Sequence, residues 1–377
     1  MRKIEKSDDM TKRLEKLSKT IVNYSLGVKK DETVLITCTE KCRPLVKHLI
    51  CEIAEVGGIP FVKINDSELD AMLLEKTTDQ RIPYIQKEKE YEVDNFDCFI
   101  HIRHTDNEYN SKYVDSKIRS KIGAATEKAD DTRINGRRWV LLNYPSHMDA
   151  FKAHMTNDEF YNYALDVMNV DYEAMYEKIQ PLKKLMEKTD RVRLVGPDTD
   201  ITFSIKGIPA IPCCGKSNIP DGELYTAPVK DSVNGTITYN TPCPYNGRVY
   251  TGVSLTFQDG KITECHCNED NEALKAIFDT DEGARYVGEF SLGLNPLVLQ
   301  PMGDILYDEK IQGSIHFTPG RAYRDAFNGN ISAVHWDMVL VQRKEYGGGE
   351  IYFDDQLIRK DGIFVLDELK DLNYDLK

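Results

Sequence analysis

The order of apolar runs along this chain constrains its fold more than any other feature. Up to about residue 145, strand-like runs alternate with helix-like stretches, in the order ETVLITC, RPLVKHLICEIAEVG, IPFVKI, FDCFIHIR and RRWVLLNYP. Parallel strands need crossover connections of a dozen or more residues, which helices usually supply. The first part of the chain therefore predicts an α/β domain with a mostly parallel sheet flanked by helices.

The pattern changes after residue 190, where short strand-like segments follow one another. VRLVG, DITFSIKG and GTITY precede VSLTFQ and KITECHC, which an Asp-Gly turn joins into a hairpin. Further strand-like runs are SIHFT, AVHWDMVLV, EIYFDD and IFVLD. A chain of 377 residues is also too long for one compact core. We predict an α/β domain over 1–187 and a β-rich α+β domain over 188–377.

The charge of the chain disfavours two classes of partner. The chain has 49 Lys and Arg residues and 62 Asp and Glu residues, which gives a formal net charge of −13. Such a chain repels nucleic-acid phosphates and anionic lipid, so we expect neither nucleic acid nor a membrane as partner. The charged first residues lack the apolar core of a secretory signal, and the nine cysteines form no regular framework. Both observations predict a cytoplasmic protein with free thiols.

Six side chains of the second domain have the chemistry of metal ligands. His335 and Asp337 alternate with Trp336 in a strand-like run, so they would project from one face of a strand. Glu289 opens an otherwise apolar segment, where burying an unpaired carboxylate would be costly. Nearby blocks supply the other three, which are Glu223, Glu309 and His316.

These six side chains form a set of hard, mostly oxygen ligands, which suits Zn²⁺, Co²⁺, Mn²⁺, Mg²⁺ or Fe²⁺. Six side chains are more than one ion needs, so their convergence would imply two divalent ions that share a carboxylate. The alternative interpretation is a solvated acidic face on a binding protein that is not an enzyme. That alternative predicts no tightly bound metal.

Five separated blocks resemble the M29 metallopeptidases, the family of aminopeptidase T and aminopeptidase S. They are IPDGELYTAP, DSVNGTI, GEFSLGLNP, DEKIQGSIHFTPGRAY and NGNISAVHWDMV, in this order. The resemblance implies a thermophilic metalloprotease-like, two-domain exopeptidase, with a dinuclear metal centre in the second domain. It also implies a homodimer in which the first domain contributes to the cleft and to assembly. Peptides with a free amino terminus would be the substrates.

Carried over by motif, the metal ligands implied by the resemblance are Glu223, Glu289, Glu309, His316, His335 and Asp337. Tyr323 matches the tyrosine that family members place beside the metals. One departure is Pro319, which follows His316 closely and could shift the path of the chain to Tyr323. We expect Glu223 to accept the proton of the attacking water and Tyr323 to donate a hydrogen bond to the developing oxyanion.

The alternative function is a different class of enzyme whose fold is similar to the one expected here. An iron-dependent ring-cleaving dioxygenase acting on 2,5-dihydroxypyridine would use His316, His335 and Asp337 as the facial triad of a single non-haem iron. Such a site would not need Glu223 or Glu289. Because both glutamates are present, we expect a metallo-aminopeptidase.

Overall fold

The computed structural model describes residues 2–107 and 109–374 of the chain. Its contacts divide the chain into two compact units. The first unit runs to Val170 and also includes Gly215–Pro220, and the second comprises Asp171–Cys214 and the chain from Asp221 onward. No helix within the described residues is both long and apolar enough to cross a membrane.

A helical turn of π type, Thr20–Ser25, continues the first helix of the chain. The α-helices of the described residues are α1 (Arg2–Lys19), α2 (Arg43–Glu55), α3 (Ser67–Glu75), α4 (Ile82–Asn95), α5 (Ser116–Gly136), α6 (His147–Lys152), α7 (Asn157–Met168), α8 (Tyr172–Met186), α9 (Asn271–Phe278) and α10 (Ile305–Asp308). The strands are β1 (Thr33–Thr39), β2 (Ile59–Asn65), β3 (Cys98–Arg103), β4 (Arg138–Asn143), β5 (Arg191–Gly196), β6 (Thr199–Ser204), β7 (Ile211–Cys213), β8 (Asn218–Ile219), β9 (Glu223–Thr226), β10 (Asn234–Thr238), β11 (Cys243–Tyr245), β12 (Arg248–Tyr250), β13 (Ser254–Gln258), β14 (Lys261–His266), β15 (Val287–Gly293), β16 (Ser314–Pro319), β17 (Val339–Val341), β18 (Glu350–Phe353), β19 (Gln356–Lys360) and β20 (Ile363–Phe364).

The first unit is built around a parallel sheet with the strand order β2-β1-β3-β4-β8. Side chains alternate between its faces, and on one face Leu35 and Phe99 pack against Val93 of α4 and Ala129 of α5. This arrangement confirms the predicted parallel sheet with helices. The sequence pattern did not reveal β8, because a strand of two residues shows no periodicity.

The second unit contains two main antiparallel sheets and the separate two-stranded sheet β11-β12. The larger has the order β14-β13-β10-β6-β5-β18-β19-β20, and the smaller has the order β17-β16-β15-β9-β7. Phe203 and Phe257 of the larger sheet pack against Phe290 and Phe317 of the smaller one, with ring centroids 5.0 to 6.0 Å apart. The aromatic side chains therefore form a core between the two sheets. A separate antiparallel region in the second part of the chain is as predicted.

The division into units differs from the boundary predicted at residues 187 and 188. Helix α8 lies in the second unit, where it packs beside β7 and the C-terminal turn Asp367–Leu372. Its apolar stripe, which includes Met175, Ile179 and Leu182, is buried there. The sequence places the boundary after this helix because the strand-rich pattern begins only after residue 190. The apolar spacing of three to four residues in α8 nevertheless fits a packed helix.

One predicted strand is much shorter than expected. The run AVHWDMVLV forms regular strand only at Val339–Val341, and His335 makes an isolated bridge with Gly320. Gly320 has a φ of +107°, and a Cβ atom there would lie 2.1 Å from the carbonyl oxygen of Val334. Only glycine tolerates such an approach. The predicted continuous strand is therefore wrong, because the chain leaves the regular ladder at this contact.

The aromatic core generates a prediction for stability. Phe317 is fully buried between the sheets, so Phe317→Ala should lower the free energy of unfolding by about 3–5 kcal/mol. The matched control is Phe327→Ala in the same unit, where the side chain is 47% exposed and the loss should be about 1 kcal/mol or less. Denaturant titration followed by tryptophan fluorescence measures both losses. An equal loss of unfolding free energy in Phe317→Ala and Phe327→Ala would show that the core does not depend on Phe317.

Candidate metal centre

The outer face of the smaller sheet of the second unit carries a cluster of charged side chains. Phe290 and Phe317 face the core, so their neighbours Glu289 and His316 must face the opposite side. Across the ladder Ser291 pairs with both His316 and Tyr225, and Gly293 pairs with Glu223. Paired residues share a face, so the sheet itself brings Glu223, Glu289 and His316 together.

A β-bulge at the start of β15 accounts for the orientation of Glu289. The pairing shifts between Val287, which lies opposite Pro319, and Glu289, which lies opposite Thr318. The extra residue in between is Gly288. Bulges of this kind re-aim side chains beside functional sites. Here Glu289 points away from the core while Val287 points into it.

Loops place the other three predicted ligands. Glu309 follows α10, whose first turn is capped by the Asp304 carboxylate, 2.9 Å from the backbone nitrogen of Leu306. His335 and Asp337 precede β17 in the chain. All six predicted ligands lie in the second unit, and their side chains are between 1% and 16% exposed.

His316 and two glutamates form the first group of donors. The Nε2 atom of His316 lies 3.1 Å from Oε1 of Glu289 and 3.4 Å from Oε2 of Glu223. Burial lowers the pKa of His316, but the two carboxylates outweigh it and raise the value to about 10. The site therefore holds positive charge strongly at this position.

His335 belongs to a second group that shares Glu289. Its Nδ1 atom lies 2.7 Å from the carbonyl oxygen of Arg321, which can only accept a hydrogen bond. In the neutral ring Nδ1 must then carry the proton, so Nε2 presents its lone pair. That lone pair faces Oδ1 of Asp337 at 3.2 Å and Oε2 of Glu289 at 3.5 Å.

Glu309 and Asp337 form a third group with His316. One donor atom from each lies within 4.8 Å of the others, as in the Glu223–Glu289–His316 and Glu289–His335–Asp337 groups. Burial and the nearby Glu223 carboxylate raise the pKa of Glu309 to about 8 although Lys310 opposes them. Burial would raise the pKa of Asp337 as well, but His335 outweighs it and lowers the value.

This arrangement fits a divalent cation. Burial lowers the pKa of His335, but Asp337 and Glu289 outweigh it and raise the value to about 9, so the carboxylates stabilise a positive charge at its Nε2 atom, either a proton or a divalent cation. The buried Nδ1 atom of His316 has no hydrogen-bond partner among the described residues, so no protein acceptor fixes the tautomer of that ring. Oxygen and imidazole donors at these spacings are those that first-row divalent metals and zinc prefer.

Lys310 and Asp221 belong to the cluster although no sequence pattern singles them out. Lys310 is fully buried, and its Nζ atom lies 2.5 Å from Oε1 of Glu223, 2.6 Å from Oε1 of Glu309 and 3.6 Å from Oδ1 of Asp221. Lys310 directly follows Glu309 in the sequence, and Asp221 lies two residues before Glu223. A lysine next to a glutamate usually indicates a solvated surface pair, so the sequence offered no signal that this one is buried.

Tyr323 lies beside the cluster despite Pro319. Its ring centroid is 4.6 Å from that of His335 and 5.7 Å from that of Tyr225, and the residue is 42% exposed. Pro319 is the last residue of β16, so its missing N–H interrupts no later ladder bond. Tyr323 is therefore a partly exposed residue beside buried donors.

Sequence comparison places the chain in a family with this chemistry. The family described as thermophilic metalloprotease (M29) matches residues 10–364. The chain therefore belongs to the thermophilic metalloprotease (M29) family, and the resemblance noted in the sequence is confirmed. Membership implies a divalent metal, for which the donor groups above are the candidate ligands.

Individual relatives differ in how much they share with the chain. It is 24% identical over 383 residues to Aminopeptidase PepS of Streptococcus thermophilus, covering 87% of this chain and 91% of that protein. It is 40% identical over 110 residues to Aminopeptidase 2 of Geobacillus stearothermophilus, where the match spans only 26% of that protein. The structure of wild-type AmpT from Thermus thermophilus matches with a TM-score of 0.79 and 19% identity over 94% of this chain and 99% of that chain, which supports the fold.

The donor set generates a prediction for metal binding. Divalent metal added to the metal-free protein should stabilise it by about 2.7 kcal/mol per site at one hundred times the dissociation constant. His335→Ala should lose part of this gain, whereas His266→Ala, at an exposed position of the same unit, should keep it. Thermal unfolding with and without Co²⁺ measures the difference. An equal gain in both variants would remove His335 from the ligand set.

Proposed function

We propose that the protein is a metal-dependent aminopeptidase that removes amino-terminal residues from peptides. The observation that carries the proposal is the position of Glu289, with one oxygen near each of the two imidazoles. Family membership supports it, and the relatives named above are called aminopeptidases. The whole-chain match to Aminopeptidase PepS supports it further.

The proposed centre holds two divalent ions. Glu223, Glu289 and His316 would hold one ion, and Glu289, His335 and Asp337 would hold the other. Glu309 lies within reach of His316 and Asp337 and completes the set. Zn²⁺, Co²⁺, Mn²⁺ and Mg²⁺ are the candidate ions. When bound, such ions polarise a carbonyl and lower the pKa of water.

The side chains supply the proton transfers. Glu223 is the proposed acceptor of the water proton, which it returns to the leaving amine. Glu309 is the competing candidate, since its side chain is 13% exposed against 7% for Glu223 and it has fewer partners in the structure. Tyr323 would donate a hydrogen bond to the oxyanion as charge develops on it.

The acidic surroundings favour a substrate with a free amino terminus. The cluster carries several carboxylates, and the chain as a whole has a net charge of −13. A protonated terminal amine is attracted to this field, whereas an acetylated terminus is not. The cytoplasmic location, the homodimer and the roles of the two predicted domains stay predictions of the sequence analysis.

The dioxygenase alternative has no comparable support. It needs only His316, His335 and Asp337, yet the structure surrounds these residues with Glu223, Glu289 and Glu309. Extra carboxylates around a facial triad would occupy the open positions that oxygen chemistry requires. The family match concerns metalloproteases.

Hydrolysis of amino-acid p-nitroanilides and short peptides tests the proposed function. We expect cleavage from the amino terminus, loss of cleavage with a chelator and recovery with added Co²⁺, Mn²⁺ or Zn²⁺. Acetylated peptides of the same sequence serve as the matched control and should remain intact. Cleavage that persists in metal-free protein, or that prefers the acetylated peptide, would contradict the proposal.

Two substitutions test the assigned roles. Glu223→Gln should lower kcat by about 10²–10⁴-fold, because a neutral amide cannot accept the proton. Tyr323→Phe should lower kcat by about 10²–10³-fold with little change in KM, because it removes a donor used only in the transition state. The control is Glu264→Gln, an exposed glutamate of the same unit. If Glu309→Gln is inactive while Glu223→Gln retains normal kcat, the proton acceptor is Glu309.

A further inference from the structure

Lys310 presents a buried positive charge at the edge of the proposed metal centre. A lysine ammonium is a compact charge with three donors, and here two of its contacts, to Glu223 and Glu309, are within 2.6 Å. The third carboxylate, Asp221, lies 3.6 Å away. The ammonium is therefore surrounded by carboxylates, as the ions of the proposed metal centre would be.

A further group of metal-type donors surrounds the same place. One atom each of Cys213, Asp221 and Glu223 lie within 4.8 Å of one another. A thiolate with two carboxylates would suit Zn²⁺ or Co²⁺. Lys310 contacts both carboxylates of this group, so its ammonium competes with an ion for the same oxygens.

The charges of the cluster account for a lysine at this position. Buried charges are tolerated when cations compensate them. Two divalent ions would offset four of the five carboxylates in the cluster, and the Lys310 ammonium offsets the one that remains. The five carboxylates are Asp221, Glu223, Glu289, Glu309 and Asp337.

We propose that Lys310 is a built-in cation that excludes a third metal ion from the Cys213–Asp221–Glu223 group and positions Glu223 for the other two. The proposal rests on the two-ion centre proposed above. Lys310 holds Oε1 of Glu223, while Oε2 accepts a hydrogen bond from Ser291 at 2.9 Å and faces His316. Glu223 is thereby restricted to one oxygen on the side of the metal centre.

Cobalt titration of the full-length protein tests this role. The wild type should bind two Co²⁺ ions per chain without a thiolate-to-cobalt absorption band. Lys310→Met removes the charge but keeps an unbranched side chain, and it should bind three ions and develop the thiolate band. Adding Cys213→Ser to that variant should abolish the band. The matched control is Lys261→Met, an exposed lysine of the same unit, which should behave as the wild type.

The outcomes separate this inference from the proposed function. A wild type that binds no cobalt overturns the two-ion centre itself. Two ions in the wild type, with two ions and no thiolate band in folded Lys310→Met, overturn the role of Lys310 alone. A third ion or a thiolate band in the wild type also overturns it.

A second variant covers the case in which Lys310→Met does not fold. Lys310→Gln then takes its place, because its side chain can donate to the carboxylates without carrying charge. We expect this variant to bind three ions with a thiolate band. Two ions without the band would contradict the proposal.

Discussion

The repulsion among the carboxylates on one face of the smaller sheet is the interaction on which this site depends. Glu223, Glu289, Glu309 and Asp337 are all largely buried within one cluster. Carboxylates buried together raise one another's pKa or attract cations, and the chain supplies the Lys310 ammonium and two imidazoles, His316 and His335, whose pKa values are raised. The cluster is therefore stable only if it contains positive charge, which protons or metal ions must complete.

The opposite face of the same sheet holds this cluster in place. Period-two alternation directs Phe290 and Phe317 into the aromatic core, and the same backbone directs Glu289 and His316 outward. A hydrogen bond from the Tyr239 hydroxyl to the carbonyl of Phe317, 2.7 Å long, fixes the strand between the two faces. Strands β15 and β16 therefore carry both the core side chains and the metal-type donors. A shift in the core packing would also move the donors.

Several parts of this arrangement could be predicted from the sequence. The long apolar runs of the first unit and the alternating strands of the second have strong periodicity, so the parallel and antiparallel sheets were expected. The six candidate ligands stood in motif blocks with a family resemblance. In the structure three of these ligands lie on one face of the smaller sheet and three lie in loops. The sequence blocks give no distances between them.

Other parts depend on contacts that the sequence does not encode locally. The two-residue strand β8 leaves the second half of the chain to pair with β4, and no periodicity marks it. The bulge at Gly288 and the close approach at Gly320 are set by the partner strand. Lys310 resembled a surface residue because its neighbours in the chain are charged and polar, whereas its neighbours in space are three buried carboxylates.

Glu289 is proposed to bind two divalent ions on this face of the sheet. Anomalous diffraction from crystals of the cobalt-loaded protein, recorded on both sides of the cobalt edge, tests this proposal most directly. We expect two peaks beside Glu289, one next to His316 and the other next to His335. A single peak held only by His316, His335 and Asp337, or no peak on this face, would contradict it.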